Sequence, residues 1–207
     1  LRELAYMGAT VLHEDAIFPV RAAGIPVNIK NTNQPEDRGT MIVSESAEHC
    51  DHIITGIAGK KGMSVINIEK DKMNSEVGFG RNVLRALEKS NVSFEHMPSG
   101  VDTMSVVIAT EALAGKETAI IDEIKSRVHP DQIYIESNLA LIAVVGRGMK
   151  SARGTAAILF SALADARVNI KMIDQGSSEL NIIVGVEEED FEVAIKAIYK
   201  RFIGINQ

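Results

Sequence analysis

Two glycine-containing turns carry the residues best suited to bind a small charged molecule. The first, KMNSEVGFGRN (72–82), precedes a stretch with helical spacing of apolar residues, and its glycines at 78 and 80 let a ligand approach the backbone. A helix N-terminus offers free N–H groups and a positive dipole end, which suit a carboxylate. The second turn, HMPSGVD (96–102), supplies Asp102, which would pair with a ligand ammonium group. The structural alternative is that Ser75 caps the helix and Gly78 permits the turn.

The segment EHCDH (48–52) contains side-chain types that zinc uses. Because His49 and Cys50 are adjacent, and no second Cys or His pair stands at ligand spacing, we expect no metal site. Cys50 is the one cysteine of the chain, which excludes an intrachain disulfide and fits a reducing compartment. We therefore expect a cytoplasmic protein, and no sequence feature indicates that Cys50 acts as a nucleophile.

Composition narrows the function classes further. The 207 residues are 45% hydrophobic and carry a net charge of −6, which argues against a nucleic-acid or membrane surface that depends on bulk charge. No apolar run is long enough to span a bilayer. The chain starts at Leu1, without Met, and we expect it to be part of a larger protein.

An internal repeat organises most of the chain. The stretch GTAAILFSALADARVNIKMIDQGSSELNIIV (154–184) matches GFGRNVLRALEKSNVSFEHMPSGVDTMSVVI (78–108) at an offset of 154 − 78 = 76 residues without a gap. Leu87 falls on Leu163, Val92 on Val168, and Val106 on Ile182. Glycines that stay in register through helix, turn and strand positions indicate one fold unit used twice.

Each copy predicts the order β-α-β-β-α-β. The predicted strands are MSVINIEK, NVSFEHM, TMSVVIAT and QIYIES in the first copy, and LALIAVVG, RVNIKMI and ELNIIVGV in the second. The predicted second helices span roughly Lys116–Arg127 and Glu189–Phe202. This order is the ferredoxin-like arrangement, an α/β (α+β) fold with an antiparallel sheet and both helices on one face.

The second copy lacks a last strand, and HIITGIAG (52–59) offers one. We expect Ile53–Ala58 to complete the second sheet, so that the first unit is inserted inside the second. The predicted domains are a leading segment at 1–45, a first unit at 63–137, and a second unit formed by 52–60 plus 138–207.

The tandem units resemble ACT domains, small modules that bind amino acids. The leader GATVLHEDAIFPVRAAGIPVNIKNTNQPEDRGT (8–40) resembles the end of the amino-acid kinase domain of aspartate kinases. The motifs ITGIA, HMPSGVDTMSVV, GRGMKSARGTAA and VNIKMIDQGSSELNI are similar to the regulatory region of the same family. The resemblance covers essentially the whole chain.

The resemblance implies an enzyme that phosphorylates the side-chain carboxylate of L-aspartate with ATP and Mg²⁺. End-product amino acids inhibit it through the ACT region. The family's Lys-x-Gly-Gly phosphate-binding motif is absent from this chain. We therefore expect the chain alone to be inactive, without a catalytic residue or cofactor of its own. The implied partners are an amino-acid effector, lysine or threonine or both, and a second copy in a homodimer through the ACT domains; no nucleic acid and no membrane are expected.

The resemblance also implies positions for the ligands. The first copy would hold the effector with Met73, Ser75, Gly78, Phe79, Gly80, Met97 and Ser99, beside Pro98 and Asp102 at the facing strand end. In the family, effectors sit where the second copy meets the first copy of a partner chain, which makes Asn169, Ile170 and Gln175 candidate contacts. Lys30, Asn31, Thr32 and Asn33 would border the nucleotide of the intact enzyme, and are otherwise a polar turn.

Effector identity and protein class stay open at this point. Lysine, threonine, diaminopimelate or a synergistic pair are all compatible, although Asp102 and Glu95 favour a cationic side chain such as that of lysine. The competing class is a stand-alone ACT protein that binds amino acids or mediates assembly. The leader argues against it, because such a protein has no need of a kinase-like segment.

Overall fold

The computed structural model describes residues 2–8, 14–43, 52–150 and 152–204. The N-terminal part contains two short helices, α1 (Arg2–Tyr6) and α2 (Glu14–Ala22), and an antiparallel hairpin of β1 (Val27–Ile29) and β2 (Thr40–Ile42). No helix within the described ranges is both long enough and apolar enough to cross a membrane.

A five-stranded antiparallel sheet forms the centre of the chain. Its strands are β3 (Gly56–Glu69), β4 (Thr103–Ala109), β5 (Gln132–Val145), β6 (Met172–Asp174) and β7 (Asn181–Glu187), in the order β4-β3-β5-β7-β6. The helices between them are α3 (Phe79–Lys89), α4 (Thr110–Leu113), α5 (Glu117–Val128), α6 (Thr155–Asp165) and α7 (Phe191–Gly204). Three 3₁₀ turns lie at Met73–Ser75, Arg147–Met149 and Glu188–Asp190.

Two long strands are shared by both units. The first part of β3 pairs with the end of β5, from Gly56 opposite Val145 to Lys60 opposite Leu141, and the rest of β3 pairs with β4 and with the start of β5. The register shifts near Gly62 (φ 75°) and Asn138 (φ 62°), which have left-handed backbones typical of β-bulges. The prediction of QIYIES and LALIAVVG as separate strands is therefore wrong, because the bulge near Asn138 lets both segments continue as the single strand β5.

The second unit receives its fourth strand from the segment before the first unit. Gly56–Lys60 pairs with the part of β5 that also pairs with β7. The regular strand begins at Gly56 rather than at the predicted Ile53, although the Thr55 N–H still donates to the Val145 carbonyl at 2.7 Å. The chain of the first unit thus lies inside that of the second. The exact domain boundaries stay a prediction.

Three apolar clusters hold the fold together. The first lies under α3 and α5 around Ile66 and Ile68, and the second lies under α6 and α7 around Ile142. Successive strand residues point to opposite faces, so Val65, next to Ile66, belongs to a third cluster on the other face of the sheet. Helix α1 covers that face through Leu4, together with Met7, which directly follows the helix and is 2% exposed.

The strand register corrects the ungapped repeat. Ile66 lies opposite Val106, whereas Ile142 lies opposite Val184. Val106 therefore corresponds to Val184 rather than to Ile182, an offset of 184 − 106 = 78 residues. The second copy has two extra residues before β7. This shift is not visible in the sequence because side chains alternate between the two faces of a strand with a period of two residues. A shift by two residues therefore keeps the apolar residues on the same face.

The predicted strands NVSFEHM and RVNIKMI are mostly irregular. In the first, His96 forms only an isolated bridge with Val107 of β4. In the second, only Met172 and Ile173, the first two residues of β6, are regular. These segments lie at opposite edges of the sheet, where one neighbour fixes the backbone instead of two.

Candidate functional site

The N-terminus of α3 has unsatisfied backbone donors that face open space. Gly78 precedes the helix with φ 85°, no side chain caps the helix, and a Cβ placed on Gly78 would meet no atom within 4 Å. Within the described chain the N–H groups of Gly80 and Arg81 have no acceptor. Buried Phe79, 3% exposed, holds this end of the helix on the first apolar cluster. Two free N–H groups at a positive dipole end are a donor pair for a carboxylate.

Backbone and side-chain hydrogen bonds tie the two predicted turns together. The Lys72 N–H donates to Asp102 Oδ1 at 2.8 Å, and the Lys70 N–H donates to the Asp102 carbonyl at 2.8 Å. The Asn74 N–H donates to the Val101 carbonyl at 3.0 Å. Asp102 therefore has one carboxylate oxygen committed to the turn, and Oδ2 is the oxygen left to meet an ammonium group.

Methionine side chains line the side of the site near Gly80. A Cβ built on Gly80 would lie 3.6 Å from Met104 Cε and 4.0 Å from Met97 Cε. Flexible thioethers at contact distance adapt to the shape of a small apolar group. The Pro98 carbonyl accepts from the Ser105 N–H at 2.9 Å, which fixes the strip next to β4, and Ser99 is exposed.

Ser75 does not cap α3. Its hydroxyl donates to Asn74 Oδ1 at 3.3 Å, and its exposed side chain stands in the 3₁₀ turn before the helix. Met73 of the same turn is 4% exposed and packs into the first apolar cluster. The turn thus has one anchored residue and one accessible hydroxyl beside the helix end.

The predicted contacts of the second copy lie on the segment that leads into and out of β6. Ile170 packs on the second apolar cluster, whereas Asn169 and Gln175 are exposed. Asp174, directly before Gln175, has Oδ2 at 2.8 Å from Nδ1 of His96, directly before Met97. The edges of the two units therefore meet within this chain.

The second unit has a similar helix end without the acidic partner. Gly154 precedes α6 with φ 88°, and no side chain caps this helix. The Thr155 hydroxyl donates to the Ala152 carbonyl at 3.1 Å. Since Thr103 and Asn181 occupy equivalent register positions, Asp102 corresponds to Leu180. The first unit can thus offer both N–H donors for a ligand carboxylate and the carboxylate of Asp102 for a ligand ammonium group. The second unit offers only the N–H donors.

Charged residues around the α3 end are partly neutralised by each other. Lys70 pairs with Glu76, whereas Arg81 has no ion pair within the described part of the chain. Glu95, expected to favour a cationic ligand, instead accepts from the Tyr6 hydroxyl at 2.6 Å and pairs with Lys60 at 2.8 Å. Burial raises the Glu95 pKa, but hydrogen bonds from Lys60 and Tyr6 and the charge of Lys60 outweigh it, leaving the pKa below 4.5.

The predicted nucleotide-bordering loop is closed on itself. Lys30 Nζ donates to the Pro35 carbonyl at 2.6 Å, and the Asn33 N–H donates to Asn31 Oδ1 at 3.0 Å. Lys30, Asn31, Thr32 and Asn33 are all exposed at the end of the β1–β2 hairpin. One lysine and three small polar side chains fit the border of a nucleotide site rather than a complete one.

No group of three His, Cys, Asp or Glu side chains able to hold a metal ion is found within residues 2–8, 14–43, 52–150 and 152–204. Of the EHCDH segment, only His52 lies in these ranges. Sequence reasoning also missed Lys72, whose N–H fixes Asp102, and His96. No local signal marks them, because both contacts depend on pairing between distant segments.

Comparison with known proteins gives consistent matches. Residues 142–202 match a protein-family model of the ACT domain. The chain is 42% identical to aspartokinase 3 of Bacillus subtilis over 98% of its own length and 44% of the relative's. It is 32% identical to a bifunctional aspartokinase/homoserine dehydrogenase of Arabidopsis thaliana over 97% of its length and 23% of that protein.

Solved structures agree with this similarity. The aspartate kinase of Clostridium acetobutylicum superposes with a TM-score of 0.89 and 56% identity, covering 98% of this chain and 46% of that one. Aspartokinase III of E. coli, in complex with aspartate and ADP, superposes with a TM-score of 0.80 at 22% identity over 98% of this chain and 45% of that one. The chain spans less than half the length of these relatives.

Proposed function

Because the chain is homologous to the ACT-containing regulatory region of aspartokinases, we propose that it binds an amino-acid effector at the N-terminus of α3. Binding there inhibits the phosphorylation of L-aspartate by the parent enzyme. The competing class is a stand-alone ACT protein, in which residues 8–40 would have no counterpart in aspartokinases. The matches to aspartokinases cover 98% of this chain, and this coverage argues against that class.

Two N–H groups without an acceptor at the start of α3, and one carboxylate hydrogen-bonded to the turn before that helix, support the proposal. The effector carboxylate binds the N–H groups of Gly80 and Arg81, and its ammonium group binds Asp102 Oδ2. Of the remaining predicted residues, Phe79 begins α3, and the others lie in the turns beside these groups: Met73, Ser75, Gly78, Met97, Pro98 and Ser99. Such a site requires both charges of an α-amino acid and discriminates against simple carboxylates or amines.

Lysine is the effector we favour, with threonine as the second choice. A structure of E. coli aspartokinase III contains lysine and aspartate. Here the side chain would extend along Met97 and Met104 near Gly80. With Glu95 engaged by Lys60 and Asp102 assigned to the α-ammonium group, a preference for a cationic side chain depends on solvent-exposed groups.

The parent enzyme transfers phosphate from ATP, with Mg²⁺, to L-aspartate, giving 4-phospho-L-aspartate. Lys30, Asn31, Thr32 and Asn33 border the nucleotide in that protein. For Lys30 to reach a phosphate, its ammonium group must exchange the Pro35 carbonyl for the ligand. The chain by itself supplies no catalytic residue.

The regulatory mechanism is a population shift within a homodimer formed through the ACT domains. An effector that binds one arrangement more tightly moves the enzyme toward that arrangement by its difference in affinity. Asn169, Ile170 and Gln175 lie on the segment around β6, and Asp174 of that segment contacts His96 at the joint between the units. This joint is where a change in unit packing alters the effector site.

Calorimetric titration of the chain with L-lysine and L-threonine, separately and then together, tests the proposal. Saturable binding of one amino acid at one site per chain is the expected result. A control titration with cadaverine, which lacks the α-carboxylate of lysine, is expected to give no saturable heat. Absence of binding by both amino acids, or equal binding of cadaverine, would contradict the proposed site.

A further inference from the structure

Helix α1 lies on the sheet face opposite to α3, α5, α6 and α7. Leu4 and Met7 pack on the third apolar cluster, and a Cβ on Gly56 would lie 3.0 Å from Leu4 Cδ1. Glu3 accepts a hydrogen bond from Asn181 Nδ2 of β7 at 2.9 Å. These two contacts are with strands of the second unit, whereas the Tyr6 hydroxyl reaches Glu95 of the first unit.

A polar network fixes the C-terminal end of α1. The Tyr6 hydroxyl donates to Glu95 Oε2 at 2.6 Å, Lys60 Nζ lies 2.8 Å from the same oxygen, and Lys60 Nζ is 4.4 Å from the centre of the Tyr6 ring. The Glu95 side chain is 14% exposed. A carboxylate so withdrawn from water makes stronger hydrogen bonds than an exposed one, and losing a donor costs more.

A short segment, residues 95–99, runs along β4 from this network to the proposed effector site at the N-terminus of α3 (the α3 site). We call this segment the strip. The Glu95 N–H donates to the Val107 carbonyl at 2.8 Å, and the Val107 N–H donates to the His96 carbonyl at 2.9 Å. Farther along, β4 also binds Pro98 and Gly100. The strip from Glu95 to Ser99 is about 13 Å long at the rise of an extended chain. A displacement at Met97 or Ser99 is therefore carried to Glu95 rather than absorbed by a loose loop.

We propose that Glu95 is a positioning residue that couples occupancy of the α3 site to the docking of helix α1. This inference rests on the proposed effector site, but the contacts that carry it, Tyr6–Glu95–Lys60 and the strip along β4, lie outside that site. A ligand that shifts the strip changes the alignment of the Glu95 carboxylate with Tyr6 and Lys60. Because coupling is reciprocal, removing the Tyr6 hydroxyl changes the affinity for the effector.

The first arm of the test uses Tyr6→Phe, which deletes one hydroxyl and retains the ring over Lys60. The matched control is Tyr199→Phe on α7, where the ring is 60% exposed. We expect Tyr6→Phe to change the dissociation constant for L-lysine or L-threonine by about fivefold or more, and Tyr199→Phe to leave it unchanged. Equal affinities in both variants would overturn the coupling.

The second arm needs no ligand. Asp102→Ala disturbs the α3 site directly, and Gly154→Ala disturbs the corresponding turn of the second unit. Hydrogen exchange of peptides covering residues 2–8 is expected to be faster in Asp102→Ala than in Gly154→Ala, although Gly154→Ala destabilises the fold at least as much. The same exchange rate in both variants would overturn the coupling, even if neither amino acid binds. Faster exchange in Asp102→Ala without binding of either amino acid would overturn only the proposed effector.

Discussion

The N–H group of Lys72 donates a 2.8 Å hydrogen bond to Asp102 Oδ1, so the carboxylate that closes the turn before α3 is also the one proposed to bind the effector ammonium group. The two roles can be separated by substitution. Asp102→Asn keeps an acceptor for Lys72, and we expect its free energy of unfolding to match the wild type. Asp102→Ala leaves the donor without this acceptor and should lose about 1 kcal/mol in urea unfolding.

Both Asp102 variants should bind the effector about tenfold more weakly, because the charge that meets the ammonium group is gone. Calorimetric titration of Asp102→Asn tests whether the charge of Asp102 binds the effector, since we expect this variant to keep the wild-type fold. Wild-type affinity in that variant would assign Asp102 a purely structural role.

The shared strands predict that the two units unfold together. Leu87 of α3 and Leu163 of α6 are equivalent core residues, 1% and 0% exposed. We expect Leu87→Ala and Leu163→Ala each to cost about 2–5 kcal/mol and to lower a single transition. Hydrogen exchange in peptides from α3 and α7 measures this, because a substitution in either unit should speed global exchange in both. Loosening confined to the substituted unit would show that β3 and β5 do not couple them.

The carboxylate of Glu95 predicts how stability depends on pH. Its folded-state pKa lies below 4.5, despite the opposing effect of burial, because Lys60 and Tyr6 bind the ionised form. The resulting stability is present above the unfolded-state pKa and is lost as pH falls through the folded-state pKa. As the pH is lowered from 7 to 3, the melting temperature should therefore fall less steeply in Glu95→Gln than in the wild type. Parallel curves would mean that Glu95 is not a source of the acid sensitivity.

Backbone conformation, rather than side-chain contact, should govern the bulge at Asn138. Its φ of 62° is accessible to Asn and Gly but costs other residues about 1 kcal/mol. We expect Asn138→Ala to lose about that amount and Asn138→Gly to be close to neutral. Chemical denaturation of both variants provides the comparison. Equal losses would indicate that the Asn138 side chain matters instead.

The repeat, the helices and the face of each strand could be predicted because they follow from local apolar periodicity. Val83 and Leu87 on α3, and Leu159 and Leu163 on α6, occupy the core positions that their spacing indicates. The long strands could not, since the polar residues near Gly62 and Asn138 have the composition of turns. Only the pairing of β3 with β5 shows that the strands continue through them.

The helix that follows Gly78 was predictable, but the contacts around its N-terminus were not. Glycine at 78 and a following helix already indicate an anion-binding helix end. The commitment of Asp102 to Lys72 and of Glu95 to Tyr6 arises from the register of β3 against β4 and from the docking of α1. Such contacts join residues at least 30 positions apart, as for Lys72 and Asp102, and leave no trace in local composition.

Placement of the effector at α3 is tested most directly by titrating two matched glycine variants with L-lysine and L-threonine. Gly78→Ala and Gly154→Ala change residues with φ of 85° and 88°, and in both a Cβ meets no atom within 4 Å. Each should cost about 1–2 kcal/mol of stability for the left-handed backbone. Gly78→Ala alone should weaken binding, by about fivefold or more, because its Cβ enters the space before the free N–H groups. Equal affinity in the two variants, or weaker binding only in Gly154→Ala, would contradict an effector site at the N-terminus of α3.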